Sequence, residues 1–151
     1  MLLKSEMFLA LVLILPSLVF FSSAQTCPAG QGSTDQITCA NCTTGKYQEQ
    51  ANAPVATAVC KQCAAGTEWS SISIACPACD TGKYQEQNTV DSVSCKFCVA
   101  GKKFNTKLLA CLDCSNGQYQ NQNTVAPAVC QTCGAGQYAP DKENNCGACQ
   151  T

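Results

Sequence analysis

Two hydropathy regimes divide the chain. Residues 7–21 are apolar apart from Pro16 and Ser17, whereas nothing after Ala24 shows the three-to-four-residue apolar spacing of an amphipathic helix. Brief β-like runs remain at residues 46–48, 71–75 and 90–94, set between Gly, Asn, Pro and Thr. These predict small hairpins and loops. Large apolar side chains are too sparse to enclose an ordinary core, so covalent cross-links must substitute for it. The expected fold class is a small disulfide-rich domain, mainly irregular with short β-hairpins.

The apolar leader sets the compartment. Lys4 supplies a weak positive start, residues 7–21 an apolar centre, and Ser22-Ser23-Ala24 the small residues that signal peptidase needs. Residues 1–24 therefore read as a signal peptide, with cleavage after Ala24 leaving Gln25 as the mature N-terminus. The competing reading is a transmembrane anchor, but the run is shorter than the ~20 residues that span a bilayer. Nothing later is long or apolar enough to span, and residues 142–151 lack the hydrophobic tail of a lipid-anchor signal. The expected product is soluble and extracellular, either secreted or associated with a cell surface.

The remainder is repetitive. Seven Cys-x-x-Cys pairs occur, at 39/42, 60/63, 76/79, 95/98, 111/114, 130/133 and 146/149, with Cys27 ahead of them. After most pairs comes Cys-x-x-Gly and then an aromatic: Tyr47, Trp69, Tyr84, Phe104, Tyr119 and Tyr138 follow Gly45, Gly66, Gly82, Gly101, Gly117 and Gly136. Spacing separates two kinds of half-unit. The long kind (Cys42 to Cys60, Cys79 to Cys95, Cys114 to Cys130) carries Tyr-Gln-(Glu/Asn)-Gln. The short kind (Cys63 to Cys76, Cys98 to Cys111, Cys133 to Cys146) is a constant step of 13, and Cys27 to Cys39, a step of 12, resembles it. The array divides into an N-terminal capping half-unit at 25–41, repeats at 42–78, 79–113 and 114–148, and the start of a further unit at 149–151.

Cysteine usage allows three chemistries. One is an elongated disulfide ladder in which the second cysteine of each pair bonds the first of the next: Cys27 to Cys39, Cys42 to Cys60, Cys63 to Cys76, Cys79 to Cys95, Cys98 to Cys111, Cys114 to Cys130 and Cys133 to Cys146. Each bridge would close a loop of the size whose restriction is worth ~3 kcal/mol in the chain-entropy model. The rival connectivity crosses bridges between neighbouring half-units, and spacing alone does not decide between them. The ladder strands Cys149, as a free thiol, an intermolecular disulfide or the first cysteine of a longer array. The second chemistry is zinc, for which paired Cys-x-x-Cys steps are a known spacing. A signal peptide and the absence of histidine make it the weaker reading. The third, thiol redox catalysis, lacks the βαβ surroundings of a redox dithiol.

Charge removes other classes. The 151-residue chain has a net charge of -1, which speaks against nucleic acid as partner, and no Arg or His to supply a bidentate anion fork or a near-neutral base. No catalytic residue and no cofactor are expected. Asn41 opens an N-glycosylation triplet with Cys42 and Thr43. Early bridging of Cys42 would compete with glycan transfer. The glycine of each Cys-x-x-Gly fits a tight turn, and the aromatic behind it either covers a disulfide or offers a contact. Gln48 and Gln50, Gln85 and Gln87, and Gln120 and Gln122 would share one side of an extended strand. That side reads either as a solvated face or as a polar binding strip.

At these residues, opening on Cys-x-x-Gly-x-Tyr and closing on Cys-x-x-Cys, the chain resembles extracellular cysteine-rich repeats of the ephrin-receptor-like and tumour-necrosis-factor-receptor-like type, over about residues 27–149. It is also similar to ciliate immobilisation antigens, in its leader and its periodic cysteine pairs. The resemblance implies a stack of disulfide-bonded hairpins that displays a surface, with an unidentified extracellular protein or cell surface as partner. The functional expectation is a non-catalytic structural, display or protein-interaction module. The alternatives are a soluble ligand or decoy for a cell-surface receptor and, further off, a metal-binding protein.

Overall fold

The computed structural model describes residues 25–149; the signal peptide expected at 1–24 and the last two residues lie outside them. No helix occurs among the described residues. The described residues form twelve strands of two residues each: β1 Thr26–Cys27, β2 Gln31–Gly32, β3 Ala40–Asn41, β4 Lys46–Tyr47, β5 Ala53–Pro54, β6 Lys61–Gln62, β7 Lys102–Lys103, β8 Leu112–Asp113, β9 Gln118–Tyr119, β10 Gln131–Thr132, β11 Gln137–Tyr138 and β12 Gly147–Ala148. They form antiparallel pairs, β2 with β3, β4 with β6, β7 with β8, β9 with β10 and β11 with β12. In the two remaining half-units a single bridge replaces the pair, Thr67 to Ala78 and Tyr84 to Lys96.

One local plan therefore serves every half-unit. The residues after Cys-x-x-Gly pair with the two residues enclosed by the next Cys-x-x-Cys, beside the disulfide that closes the loop. The turn before the pairing needs its glycine. In the fourth half-unit from the N-terminus Gly82 takes φ +84°, and Lys83 N–H donates to the Asp80 carbonyl at 3.1 Å, which is a type II turn with glycine at the third position. The expected runs at 71–75 and 90–94 are turns rather than strands. They occupy the far ends of disulfide loops, where the chain must reverse within a few residues.

The interior is mostly sulfur and methyl. Cys27, Cys63, Cys79, Cys98, Cys114, Ala53, Ala58 and Ala128 are all but inaccessible, while Val93 is the one buried side chain of the Val, Leu and Ile type among the described residues. Tyr84, Phe104 and Val125 pack against Cys98, Cys111 and Ala128. At those two aromatics the structure decides for a cover over a disulfide. Trp69 is also tied inward, its indole N–H donating to the Lys46 carbonyl at 3.2 Å.

Half-units of one kind meet across one repeat. A Cβ on Gly30 would lie 3.2 Å from the Ile72 side chain, one on Gly66 2.7 Å from Leu108, and one on Gly101 3.1 Å from Glu143. Each short glycine thus seats the loop tip of the next short half-unit. In the long half-units Gly45 faces Asp91 and Ser92, and Gly82 faces Ala126 and Pro127.

Main-chain bonds join the two kinds. Gln48, Gln85 and Gln120 each accept at the carbonyl from the preceding short glycine (Gly30, Gly66, Gly101), at 2.7 Å in every case. Each also donates its N–H to a carbonyl of the following short half-unit, Ile72, Lys107 or Lys142, at 2.9 Å.

The first half-unit has an extra clasp: β1 pairs with β5, and Val55 N–H donates to the Gln25 carbonyl at 2.9 Å. The long half-unit from Cys42 to Cys60 is two residues longer than its counterparts, 18 against 16, and Ala53 and Pro54 of its longer loop pair with the chain entry.

Candidate interaction surface

All fourteen expected disulfide cysteines are bonded in the sequential order: Cys27–Cys39, Cys42–Cys60, Cys63–Cys76, Cys79–Cys95, Cys98–Cys111, Cys114–Cys130 and Cys133–Cys146. Their Cα atoms stand 5.6–5.7 Å apart, inside the range a disulfide accepts. Crossed pairing is excluded in this structure, and these sulfurs are committed to one another rather than to a metal. Cys149 is free and exposed. Without reduction the native chain should take up one alkyl group; after reduction the fourteen bridged cysteines become available as well. Intact mass checks this, and two or more alkyl groups before reduction would mean a missing rung.

Asn41 lies exposed in β3, its Oδ1 accepting from Gln31 Nε2 at 3.0 Å. The Gln-x-Gln steps behave differently from either expectation. Gln50, Gln87 and Gln122 are exposed, but Gln48, Gln85 and Gln120 are buried at 2%, 0% and 4% exposure. The reason is the main-chain joint just described. A residue whose N–H and carbonyl are both claimed by neighbouring half-units is held inside, and its side chain with it.

Burial obliges the carboxamide to find partners. Gln85 Nε2 donates to the Thr67 carbonyl at 3.2 Å, and its Oε1 accepts from Gln87 N–H. Gln120 closes a similar ring on its own loop, Nε2 to the Gln122 carbonyl at 2.7 Å and Oε1 from Gln122 N–H at 3.2 Å. In the longer first loop the Gln48 carboxamide has no protein partner among the described residues. Gln85→Leu is expected to lower stability by about 1–3 kcal/mol, because it leaves the Gln87 N–H and the Thr67 carbonyl unpaired. Chemical denaturation with disulfides intact measures it, and an unchanged midpoint would contradict the assignment.

With these glutamines inside, the outward face belongs to aromatic, lysine and glutamate side chains. Lys61 lies across from Tyr47, 5.7 Å from its ring centre, and pairs with Glu49 at 2.8 Å. Lys96 repeats this one unit on, 5.9 Å from the Tyr84 ring and 3.5 Å from Glu86. The Lys61 ammonium, hydrogen-bonded to it, holds Glu49 below the ordinary carboxylate range. Solvent screens such pairs, so they shape the face more than they stabilise it. In the third long half-unit the cation is gone, and Tyr119 O–H donates to Gln131 Oε1 at 2.8 Å.

Two carboxylates unremarked in the sequence organise the outermost short loops. Asp35 accepts from Thr38 Oγ1 at 2.6 Å, Thr38 N–H at 2.8 Å, Ile37 N–H at 2.9 Å and Ser33 Oγ at 2.9 Å. Asp141 accepts from Glu143 N–H, Asn144 N–H and Asn144 Nδ2. The first loop is signalled by Asp set between Ser and Thr, and both follow the rule that aspartate side chains take up turn amides. The Thr38 hydroxyl, then the Thr38 and Ile37 amides and the Ser33 hydroxyl, hold Asp35 far below its usual pKa. A carboxylate whose folded pKa is depressed contributes stability above its unfolded pKa of about 3.9 and loses it as pH falls below. The Ile37 and Thr38 amide resonances should therefore hold still through the ordinary carboxylate range near pH ~4 and move only at markedly lower pH, and an Asp35→Asn variant should show no such step. An identical titration in both proteins would place the effect elsewhere.

No group of three or more Cys, Asp, Glu or His side chains is arranged to hold a metal among the described residues, and no helix there is long and apolar enough to cross a membrane. The chain is a disulfide-ladder module. No family model matches it, and comparison with curated proteins and with solved structures gives no match.

Proposed function

We propose that the protein is a secreted or cell-surface-associated, non-catalytic module for display or protein interaction, similar in kind to the cysteine-rich repeats and surface antigens that its sequence resembles. One observation carries this reading. Cross-links and main-chain joints use up the buried positions, which leaves exposed side chains such as Lys61, Lys96, Leu109 and Leu112 available for contact. A bridge density this high belongs to oxidising compartments, which supports an extracellular site. The mechanism is rigidity: each half-unit is held by its own disulfide and by its neighbours, so tips are presented at fixed spacing.

A second reading, a soluble ligand or decoy for a cell-surface receptor, draws on exposed apolar residues in and beside the short half-unit from Cys98 to Cys111. Val99, Leu109 and Leu112 are 52%, 56% and 48% exposed. Labelled protein added to intact cells separates the readings. Saturable binding that unlabelled protein displaces favours the ligand. Failure to bind, with the native protein found on the surface of the cells that make it, favours display. A native protein retained in the cytosol would defeat both.

A further inference from the structure

Asn41-Cys42-Thr43 is the one acceptor triplet for N-glycosylation in the chain, and its middle residue is a bridged cysteine. The order of the bridges decides whether that bonding stands in the way of a sugar. A chain made from its N-terminus presents Cys27, Cys39 and Cys42 first. Cys27 and Cys39 are bonded to each other, which leaves Cys42 without its partner until Cys60 follows, 18 residues later. The triplet is therefore complete and unbridged while the chain is still arriving. Sequential connectivity removes the competition that early bridging of Cys42 would impose.

The folded site has room for what is attached. Asn41 lies exposed in β3 while Cys42 beside it is buried, so successive side chains take opposite sides and the asparagine faces outward. Its Oδ1 accepts from Gln31 Nε2 across the β2–β3 pair at 3.0 Å, and its Nδ2, the atom that takes a sugar, donates to nothing among the described residues. N-glycosylation keeps the oxygen, so that hydrogen bond survives it. Asn41 also borders a cleft of about 260 Å³, walled by Gly32, Thr34, Ala40, Thr43 and Val59. This is below the ~300–1,000 Å³ of a site that encloses a drug-sized molecule, and it suits a single sugar ring. The walls match a 2-acetamido sugar. The Thr34 and Thr43 hydroxyls can bond ring hydroxyls, and Val59, which the protein leaves 57% exposed, offers with the Ala40 methyl a contact for the acetamido methyl.

We propose that Asn41 carries an N-linked glycan whose first N-acetylglucosamine lies in the cleft between Thr34, Ala40 and Val59. The bond forms between Asn41 Nδ2 and C1 of the sugar. The donor is a lipid-diphosphate-linked oligosaccharide of the secretory lumen; its lipid diphosphate leaves from C1, and Nδ2 gives up one proton. A bulky, solubilising group of this kind belongs on an exposed position, and here it covers Val59. The proposal rests on the extracellular reading above.

The test expresses the full chain with its own leader in cultured animal cells and takes both secreted and retained protein. Treatment with an amidase that releases N-glycans should lower the intact mass by one oligosaccharide in most chains and leave aspartate at position 41. Thr43→Ala should lose the whole shift; a shift that persists in that variant overturns the site. Protein in the medium with its bridges intact and no glycan overturns the proposal and leaves the extracellular reading standing, whereas protein held in the cytosol removes both. Cys60→Ser tests the order of events. With Cys42 deprived of its partner, occupancy should stay the same in retained and secreted chains alike, and a severalfold rise would show that bridging competes with transfer. Once the glycan is trimmed to a single N-acetylglucosamine, its acetamido methyl should give nuclear Overhauser contacts to Val59 and Ala40. An attached sugar without those contacts overturns the seat.

Discussion

Gly82→Ala is expected to destabilise the protein by about 2–5 kcal/mol, and Gly117→Ala by only about 1–2 kcal/mol, although both glycines sit in the same turn of the same kind of half-unit. Both have positive φ, at +84° and +77°, so each substitution carries the strain of an L-residue in that region. They differ in what the new methyl meets. At Gly82 it would lie 2.7 Å from Pro127 Cα and 2.8 Å from Pro127 N, backbone atoms that cannot turn aside, and 2.8 Å from the Ala126 methyl, which has no rotamer to escape into. At Gly117 it meets open space among the described residues. Denaturant midpoints of the two variants, disulfides intact, give the comparison. Equal losses would mean that neighbouring long half-units are not in contact.

Full reduction is expected to unfold the chain. Each of the seven loops spans 12–18 residues, and closing a loop of about 15 is worth ~3 kcal/mol. Two such bridges already reach the lower end of the 5–15 kcal/mol by which whole domains are stable. Little else is available. Among the described residues the buried hydrophobic ones are cysteine, alanine and Val93 alone, so opening the bridges removes both the restraint and most of the core. Amide dispersion in an NMR spectrum should collapse on adding a phosphine reductant and return on reoxidation. Retained dispersion with every thiol free would show that packing, not sulfur, carries the fold.

The half-unit plan was legible because cysteine and glycine each have one dominant use here. The alternating steps between Cys-x-x-Cys pairs separated long from short half-units. Spacing left sequential and crossed bridges both open, and the structure selects the sequential set. The tight turn at the glycine of Cys-x-x-Gly also followed from residue type.

Period-two reasoning, by contrast, placed Gln48 and Gln50 on one side of a strand but could not say that Gln48 turns inward. That depends on main-chain bonds to Gly30 and Ile72, residues far away in sequence. The tips at 71–75 and 90–94 looked strand-like because Ile and Val recur there, yet the bridges at Cys63–Cys76 and Cys79–Cys95 require a reversal at those points. The Asn88 and Asn123 contacts had a readable signal, since Gln-x-Gln-Asn-Thr-Val recurs at residues 85–90 and 120–125. What the asparagine caps, the Ala65 or Ala100 amide of the preceding half-unit, is visible only once the repeats are stacked.

The joints between half-units bear on how such a sequence can diversify. Because Gln48, Gln85 and Gln120 bond to the carbonyls of Ile72, Lys107 and Lys142, the union is indifferent to whether the residue at the tip is aliphatic or cationic. Substitution there alters charge and shape at the periphery without disturbing register. A chain built this way can therefore change its outward appearance while keeping its frame, provided that the cysteines, the turn glycines and the buried Ala58, Val93 and Ala128 are retained.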